Sequence, residues 1–208
     1  MESKVGYFRW KEEVFCNMIV VFGGAFNPPT MAHYEIAKHV LGLSFVEQLL
    51  FVPVGDQYQK TELVPAFQRV EMLEILVKSL PNARISKVEV EAEHALKTIE
   101  TLERLQLMHP SSDFAFVMGA DNLYKLKSWY DYERLIGEFK MLILNRGEYD
   151  VRAFIDENFA METERFIVVD DFSRIDISSS AYRADTTKTE LLLSEIEIYI
   201  GENKLYGD

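Results

Sequence analysis

The sequence predicts an α/β protein with a doubly wound, mostly parallel sheet, helices on both faces and a small C-terminal helical part. Short apolar runs alternate along the chain with segments whose apolar residues repeat at helical spacing. The first apolar run ends in a glycine pair, as a strand does before a tight turn. With 208 residues and 48% apolar content, the chain is long enough to bury a continuous core.

The elements follow in the order of a Rossmann-like fold. Residues 18–22 are predicted to form the first buried strand, Gly23-Gly24 the turn, and Thr30 the cap of a helix that runs to about Leu43. Further strands are predicted over residues 49–53, 83–90, 114–118, 141–144 and 166–169, with helices over residues 65–80 and 96–107. The apolar face of the helix over residues 65–80 is predicted to carry Phe67, Val70, Leu73, Leu76 and Val77. Such sheets bind ligands beyond the carboxyl ends of their strands.

Composition limits the organisation, the partners and the compartment. Residues 1–17 are predicted to be an N-terminal extension, residues 18–208 a single domain, and residues 178–208 its C-terminal helical subdomain. A net charge of −12 disfavours nucleic acid as a partner. The absence of a long apolar run disfavours a membrane, and the single Cys16 favours the cytoplasm. Trp10 is a candidate for packing on the domain or for a homo-oligomer contact.

The first strand, turn and helix are suited to binding phosphate. A glycine turn lets the backbone approach a ligand closely, and a helix N-terminus offers unpaired N–H groups to an anion. His33 lies three residues after Thr30, so both side chains can lie on one side of the helix. Taken alone, a glycine turn is more often only a connection, and a histidine at a helix start is more often structural.

The whole segment from Gly23 to His33 reads GGAFNPPTMAH. It resembles the opening motif of nicotinate mononucleotide adenylyltransferases in the nucleotidylyltransferase superfamily. The resemblance implies that His33 stabilises charge that builds up on the α-phosphate of ATP and that Asn27 faces the acceptor. It assigns the ATP phosphates to Gly23, Gly24, Ala25, Phe26, Thr30 and His33. Thr30 and Ala32 depart from the histidine and glycine that are usual in this family.

A second segment with a serine run begins at Ile177 and reads ISSSAYR. Serines at a helix start supply hydroxyl groups and N–H donors, and Arg183 supplies a planar fork suited to phosphate oxygens. By itself the pattern is usually a capped exposed helix. It resembles the family's I-S-S-T-x-[IV]-R motif, which implies that Ser178, Ser179 and Arg183 bind ATP. Serine nucleophiles are disfavoured because the chain has no G-x-S-x-G elbow.

The remaining candidate residues come from the resemblance over the middle of the chain. Lys60 matches a lysine that reaches the phosphates, so the implied catalytic set is His33, Lys60 and Arg183. Gly119, Asp121 and Arg146 match nucleotide contacts, and Thr98, Trp129 and Tyr130 match acceptor contacts. Each has a simpler alternative: a solvated charge for Lys60, a helix cap for Asp121, a surface salt bridge for Arg146 and ordinary packing for the aromatic pair.

The resemblance implies an adenylyltransferase of NAD biosynthesis that joins ATP and nicotinate mononucleotide into nicotinate adenine dinucleotide and pyrophosphate. Mg²⁺ is expected to bind mainly through the ATP phosphates, without a dedicated protein metal site. One alternative is another acceptor, such as nicotinamide mononucleotide, because Lys97 and residues 57–59 depart from the family pattern. A second is a regulatory paralogue that binds nucleotide without turnover. An oxidoreductase is disfavoured because G-x-G-x-x-G is missing.

Overall fold

The computed structural model describes residues 18–58, 63–145, 150–170, 172 and 177–207. Within them a six-stranded sheet has the order β3-β2-β1-β4-β5-β6, and the paired strands run parallel. This order is typical of doubly wound folds, so the predicted fold class is confirmed. The strands are β1 (Met18–Gly24), β2 (Val46–Pro53), β3 (Ala83–Ile85), β4 (Asp113–Gly119), β5 (Lys140–Leu144) and β6 (Phe166–Val169).

Helices follow most of these strands. In the part of the chain that the structure describes they are α1 (Met31–Leu41), α2 (Ala66–Val77), α3 (Thr98–Met108), α4 (Ala120–Leu123), α5 (Tyr132–Glu138), α6 (Val151–Asn158), α7 (Ser179–Ala184) and α8 (Ser194–Glu202). Helices α7 and α8 constitute the predicted C-terminal helical part. None of the helices in the described ranges is long and apolar enough to cross a membrane.

The described residues divide into two compact units. The strand unit comprises residues 18–22, 45–47, 97–145, 150–170 and 172, and the loop unit comprises residues 23–44, 48–58, 63–96 and 177–207. The predicted division into an extension and one domain remains a prediction, and residues 1–17 lie outside the described residues.

Each unit has its own buried core. In the strand unit β4 and β5 pair in parallel, and Ala115, Met141 and Ile143 are fully buried. In the loop unit α8 packs on α2, where the hydroxyl of Tyr199 donates a hydrogen bond to the carboxylate of Glu71. Burial and this carboxylate raise the pKa of Tyr199 to about 12, so the phenol keeps its proton.

Two sequence expectations about local structure are wrong. The predicted strand over residues 83–90 ends at Ile85, because the chain then enters a turn in which the Glu91 N–H donates to the Lys87 carbonyl at 2.8 Å. The last bond to β2 runs from the Ser86 N–H to the Phe51 carbonyl. Phe67, expected on the apolar face of α2, is 60% exposed. The face of α2 that is buried instead carries Arg69 between Ala66 and Leu73.

Candidate active site

The glycine loop between β1 and α1 is tightly packed. The Gly24 carbonyl accepts a hydrogen bond from the Val54 N–H at 3.0 Å. A Cβ atom on Gly24 would lie 3.1 Å from the Phe26 ring, so the ring covers the space that a side chain would need. Phe26 has a positive φ of 48°, an uncommon conformation for a bulky residue, and its ring meets Phe51 edge-on at 5.5 Å. The loop therefore has a conformation that its surroundings maintain.

His33 lies in the first turn of α1, after the N-cap Thr30. Its Nδ1 accepts a hydrogen bond from the Thr30 N–H at 2.9 Å, and the Phe26 ring lies edge-on to the imidazole at 5.1 Å. Burial lowers the pKa of His33 to about 4, so the ring is neutral at pH 7. Because Nδ1 accepts, the proton of the neutral ring is assigned to Nε2, which makes Nε2–H the donor. Ala32, which replaces the usual glycine, is buried on the core side of the helix.

The serine and arginine motif forms the start of α7, where it contacts the glycine loop. Ser178 is the N-cap, and its Oγ accepts from the Ala181 N–H at 3.1 Å. The Ser179 hydroxyl donates to the Pro28 carbonyl at 2.7 Å, and Arg183 Nη1 donates to the Asn27 carbonyl at 2.7 Å. The buried Nε of Arg183 has no hydrogen-bond partner among the described residues. Two motifs separated by about 150 residues of sequence therefore form one structure.

Asn27 joins three segments of the loop unit. Its buried side-chain oxygen accepts hydrogen bonds from the Val64 N–H at 3.1 Å and from the Tyr206 hydroxyl at 2.8 Å. Burial raises the pKa of Tyr206, so the phenol remains protonated and donates. The sequence assigned Asn27 to the acceptor, whereas here its oxygen supports the loop. Its role toward the acceptor remains a prediction.

Arg69 also contacts the glycine loop, although the sequence did not lead us to expect it there. Its guanidinium is fully buried and donates to the carbonyl of Ala25 in the glycine loop at 2.9 Å. A charged residue at helical spacing between the buried Ala66 and Leu73 was the signal that could have identified it.

In the strand unit, β4 leads directly from Gly119 into α4. Asp121 is exposed at the second position of α4 and makes no cap hydrogen bond there. A Cβ atom on Gly119 would lie 2.6 Å from Asp121 Oδ1, so this carboxylate occupies the space over the glycine. Asp121 therefore does not cap α4, whose N-cap position is occupied by Gly119. The nucleotide role of Gly119 and Asp121 remains a prediction.

The acceptor candidates of the strand unit are more open. Thr98 is the first residue of α3, and the carboxylate of Glu100 accepts from the Lys97 N–H at 2.7 Å. Trp129 is partly buried, with its ring edge-on to Phe116 at 5.9 Å. Tyr130 is 62% exposed.

Lys60 and Arg146, two predicted phosphate contacts, lie outside the described residues. Within the described ranges no group of three or more His, Cys, Asp or Glu side chains is arranged to hold a metal ion.

The parallel sheet, the glycine loop that leads into α1, and the capped helix that brings an arginine to that loop are together typical of a nucleotide-binding α/β protein. The cytidylyltransferase-like family model matches residues 21–185. The chain is 33% identical over 194 residues to a probable nicotinate-nucleotide adenylyltransferase of Acholeplasma laidlawii, covering 92% of this chain and 98% of the relative. It is 26% identical to the nicotinate-nucleotide adenylyltransferase of Bacillus subtilis, covering 90% and 97%.

A solved structure shares the fold. The nicotinic acid mononucleotide adenylyltransferase of Plasmodium falciparum complexed with NaAD has a TM-score of 0.76 and 22% identity, covering 91% of this chain and 97% of that one. The chain therefore belongs to the nicotinate-nucleotide adenylyltransferases within the cytidylyltransferase-like family. The family expected from the sequence is confirmed.

Proposed function

We propose that this chain transfers the AMP moiety of ATP to nicotinate mononucleotide, giving nicotinate adenine dinucleotide and pyrophosphate. One observation carries the proposal: Ser179 and Arg183 bond to the carbonyls of Pro28 and Asn27, in the same loop that leads to His33. The relatives from Acholeplasma laidlawii and Bacillus subtilis are named for this activity, the former as probable.

In the proposed reaction, an oxygen of the acceptor 5′-phosphate attacks the α-phosphorus of ATP in line. A new P–O bond forms, and the bond from the α-phosphorus to the bridging oxygen breaks, so that pyrophosphate leaves with its electron pair. No protein nucleophile takes part. The contribution of the chain is positioning and charge stabilisation, which is the general basis of catalysis in phosphoryl and nucleotidyl transfer.

His33 acts in this scheme as a neutral hydrogen-bond donor. Its Nδ1 accepts from the Thr30 N–H, so the neutral ring carries its proton on Nε2, and we assign this donor to an oxygen of the α-phosphate as negative charge builds up there. Arg183, which is bonded to the Asn27 carbonyl, is assigned as a positive charge beside this loop. The N-terminal turns of α1 and α7 add backbone N–H donors. We assign Lys60 and Arg146 as further positively charged residues that bind ATP.

Mg²⁺ is proposed to bind through the ATP phosphates, where it neutralises charge on the leaving pyrophosphate; the carboxylates of the described residues offer no cluster for it. The acceptor is assigned to Thr98, Trp129 and Tyr130, where the Trp129 ring offers a flat face for a pyridine. Cytoplasm is proposed as the compartment, on the basis of the single cysteine.

A paired assay tests the proposal. Pyrophosphate release from ATP and Mg²⁺ is measured with nicotinate mononucleotide and, separately, with nicotinamide mononucleotide, and the dinucleotide product is identified by mass. We expect kcat/KM to be higher for the acid. A higher value for the amide would reassign the acceptor, and ATP binding without pyrophosphate release with either acceptor would support a regulatory paralogue instead.

A further inference from the structure

A buried arginine that belongs to none of the recognised motifs lies beneath the glycine loop. Arg69 is on the core-facing side of α2, with no exposed side-chain area. A guanidinium carries five N–H donors in a rigid fork, and burying it is unfavourable unless these donors find acceptors. The identity of its partners therefore indicates what the residue does.

Those partners are three backbone carbonyls from three separate segments. Nη1 donates to Ala25 in the glycine loop at 2.9 Å, Nη2 to Val54 after β2 at 2.7 Å, and Nε to Val64 before α2 at 2.9 Å. Asp56 balances the charge, with its Oδ1 at 3.6 Å from Nη2, and the same oxygen accepts from the Ala66 N–H at 2.7 Å. One side chain thus ties the loop after β1 to both neighbouring segments.

The bond to Ala25 has a geometric consequence for the loop. The peptide unit between Ala25 and Phe26 is planar, and the carbonyl and the N–H of a trans peptide point in opposite directions. When Arg69 holds the Ala25 carbonyl, the Phe26 N–H is directed to the opposite side of the loop from the guanidinium. Phe26 follows with its positive φ of 48°, a conformation that depends on such fixed surroundings.

We propose that Arg69 is a positioning residue for ATP, which holds the glycine loop in the shape that its phosphate-binding groups require. It contacts three carbonyls of the protein and acts through the loop. The inference rests on the proposed function in one respect, namely that ATP is the ligand of this loop. A lysine in its place keeps the charge but offers a single ammonium group, which lacks the planar fork needed to reach three separated carbonyls.

The test compares Arg69→Lys and Arg69→Met with Leu76→Ala, which removes a fully buried side chain from the same helix. Calorimetric titration gives Kd for a non-hydrolysable ATP analogue and for nicotinate mononucleotide, and thermal unfolding gives Tm. We expect Arg69→Lys to raise Kd for the analogue about tenfold, as the loss of about two buried hydrogen bonds implies. The Kd of Arg69→Lys for the mononucleotide should stay within about twofold of wild type, which is small beside the tenfold change expected for the analogue.

Leu76→Ala separates positioning from stability, because it should lower Tm while leaving both Kd values close to wild type. If Arg69→Met fails to fold, Arg69→Lys still decides the matter. Wild-type affinity of Arg69→Lys for the analogue, or an equal loss in Leu76→Ala, would overturn the proposal. If wild-type protein binds the analogue but makes no dinucleotide, the proposed function fails while Arg69 is still judged by the titration. If the wild-type protein forms the dinucleotide but Arg69→Lys binds the analogue with wild-type affinity, the proposed function stands and the proposal for Arg69 fails.

Discussion

In the loop unit, the glycine loop is held by hydrogen bonds and several of its residues are buried, whereas in the strand unit Thr98 and Trp129, which are assigned to the acceptor, are partly buried and Tyr130 is exposed. Asn27 and Thr30 are 2% and 0% exposed, and hydrogen bonds from Arg183, Ser179 and Tyr206 converge on the loop that contains them. Tyr130 in the strand unit, by contrast, is 62% exposed.

If the proposed function holds, the two substrates are expected to meet different kinds of surface. A glycine loop that hydrogen bonds already hold in place needs little further ordering when ATP binds. Trp129 and Tyr130 lie closer to solvent and are expected to be ordered only when the pyridine binds. Substitutions in the glycine loop should therefore change stability and ATP binding together, and substitutions at Trp129 or Tyr130 should change acceptor binding alone.

The largest effect is expected in the pH dependence of stability. Burial lowers the pKa of His33 from 6.5 to about 4, so between these values the unfolded chain binds a proton that the folded protein does not. This stabilisation is fully present above pH 6.5 and is lost as the pH falls toward 4. The loss is about 3 kcal/mol, because the pKa shift of about 2.5 units corresponds to 1.36 kcal/mol per unit. Urea unfolding of wild type and His33→Gln at several pH values measures it.

The matched control for this experiment is His94→Gln, because His94 is exposed. We expect His94→Gln to keep the wild-type pH dependence and His33→Gln to lose part of it. Parallel curves for wild type and His33→Gln would show that His33 titrates normally in the folded protein.

His33→Ala should reduce kcat by about 10²-fold, the effect typical of removing one donor to a developing oxyanion. The Nε2 proton is the group removed, and the KM for the acceptor should change little because His33 belongs to the loop unit. Steady-state pyrophosphate release measures both constants, with His94→Ala as the control. Turnover near the wild-type rate would remove His33 from the catalytic set.

A smaller effect is expected from Tyr206→Phe. The change removes one of the two donors to the buried oxygen of Asn27 and should lower the free energy of unfolding by about 1 kcal/mol. Because Asn27 is part of the glycine loop, the KM for ATP should rise as well. Tyr58→Phe, at an exposed tyrosine, is the control, and thermal unfolding with ATP titration measures the pair. If Tyr206→Phe and Tyr58→Phe show the same stability and the same KM for ATP, the Tyr206 hydroxyl does not stabilise the glycine loop.

The sequence predicted the sheet, the glycine loop and the serine cap well because local patterns determine them. Buried parallel strands are continuous apolar runs, and the phosphate motifs are contiguous in sequence. The family that these motifs implied is confirmed by the relatives.

What the sequence could not give depends on contacts between distant segments. The length of β3 is set by the turn between Lys87 and Glu91, which the side-chain pattern of residues 83–90 does not reveal. Apolar periodicity pointed to Phe67, although the helix buries Arg69, because three carbonyls outside the helix satisfy its guanidinium. The pairing of Tyr206 with Asn27 spans almost the whole domain and leaves no local pattern.

The most direct test of the difference between the units is a crossed titration of Arg183→Gln and Trp129→Ala. Each variant is titrated with a non-hydrolysable ATP analogue and with nicotinate mononucleotide. We expect Arg183→Gln to weaken binding of the analogue about tenfold and to spare the mononucleotide, and Trp129→Ala to do the reverse, since one charged contact or one aromatic face is worth about 1.4 kcal/mol. Equal weakening of both ligands in both variants, or loss of the analogue alone in Trp129→Ala, would contradict the assignment of ATP to the glycine loop with Arg183 and of the acceptor to Trp129.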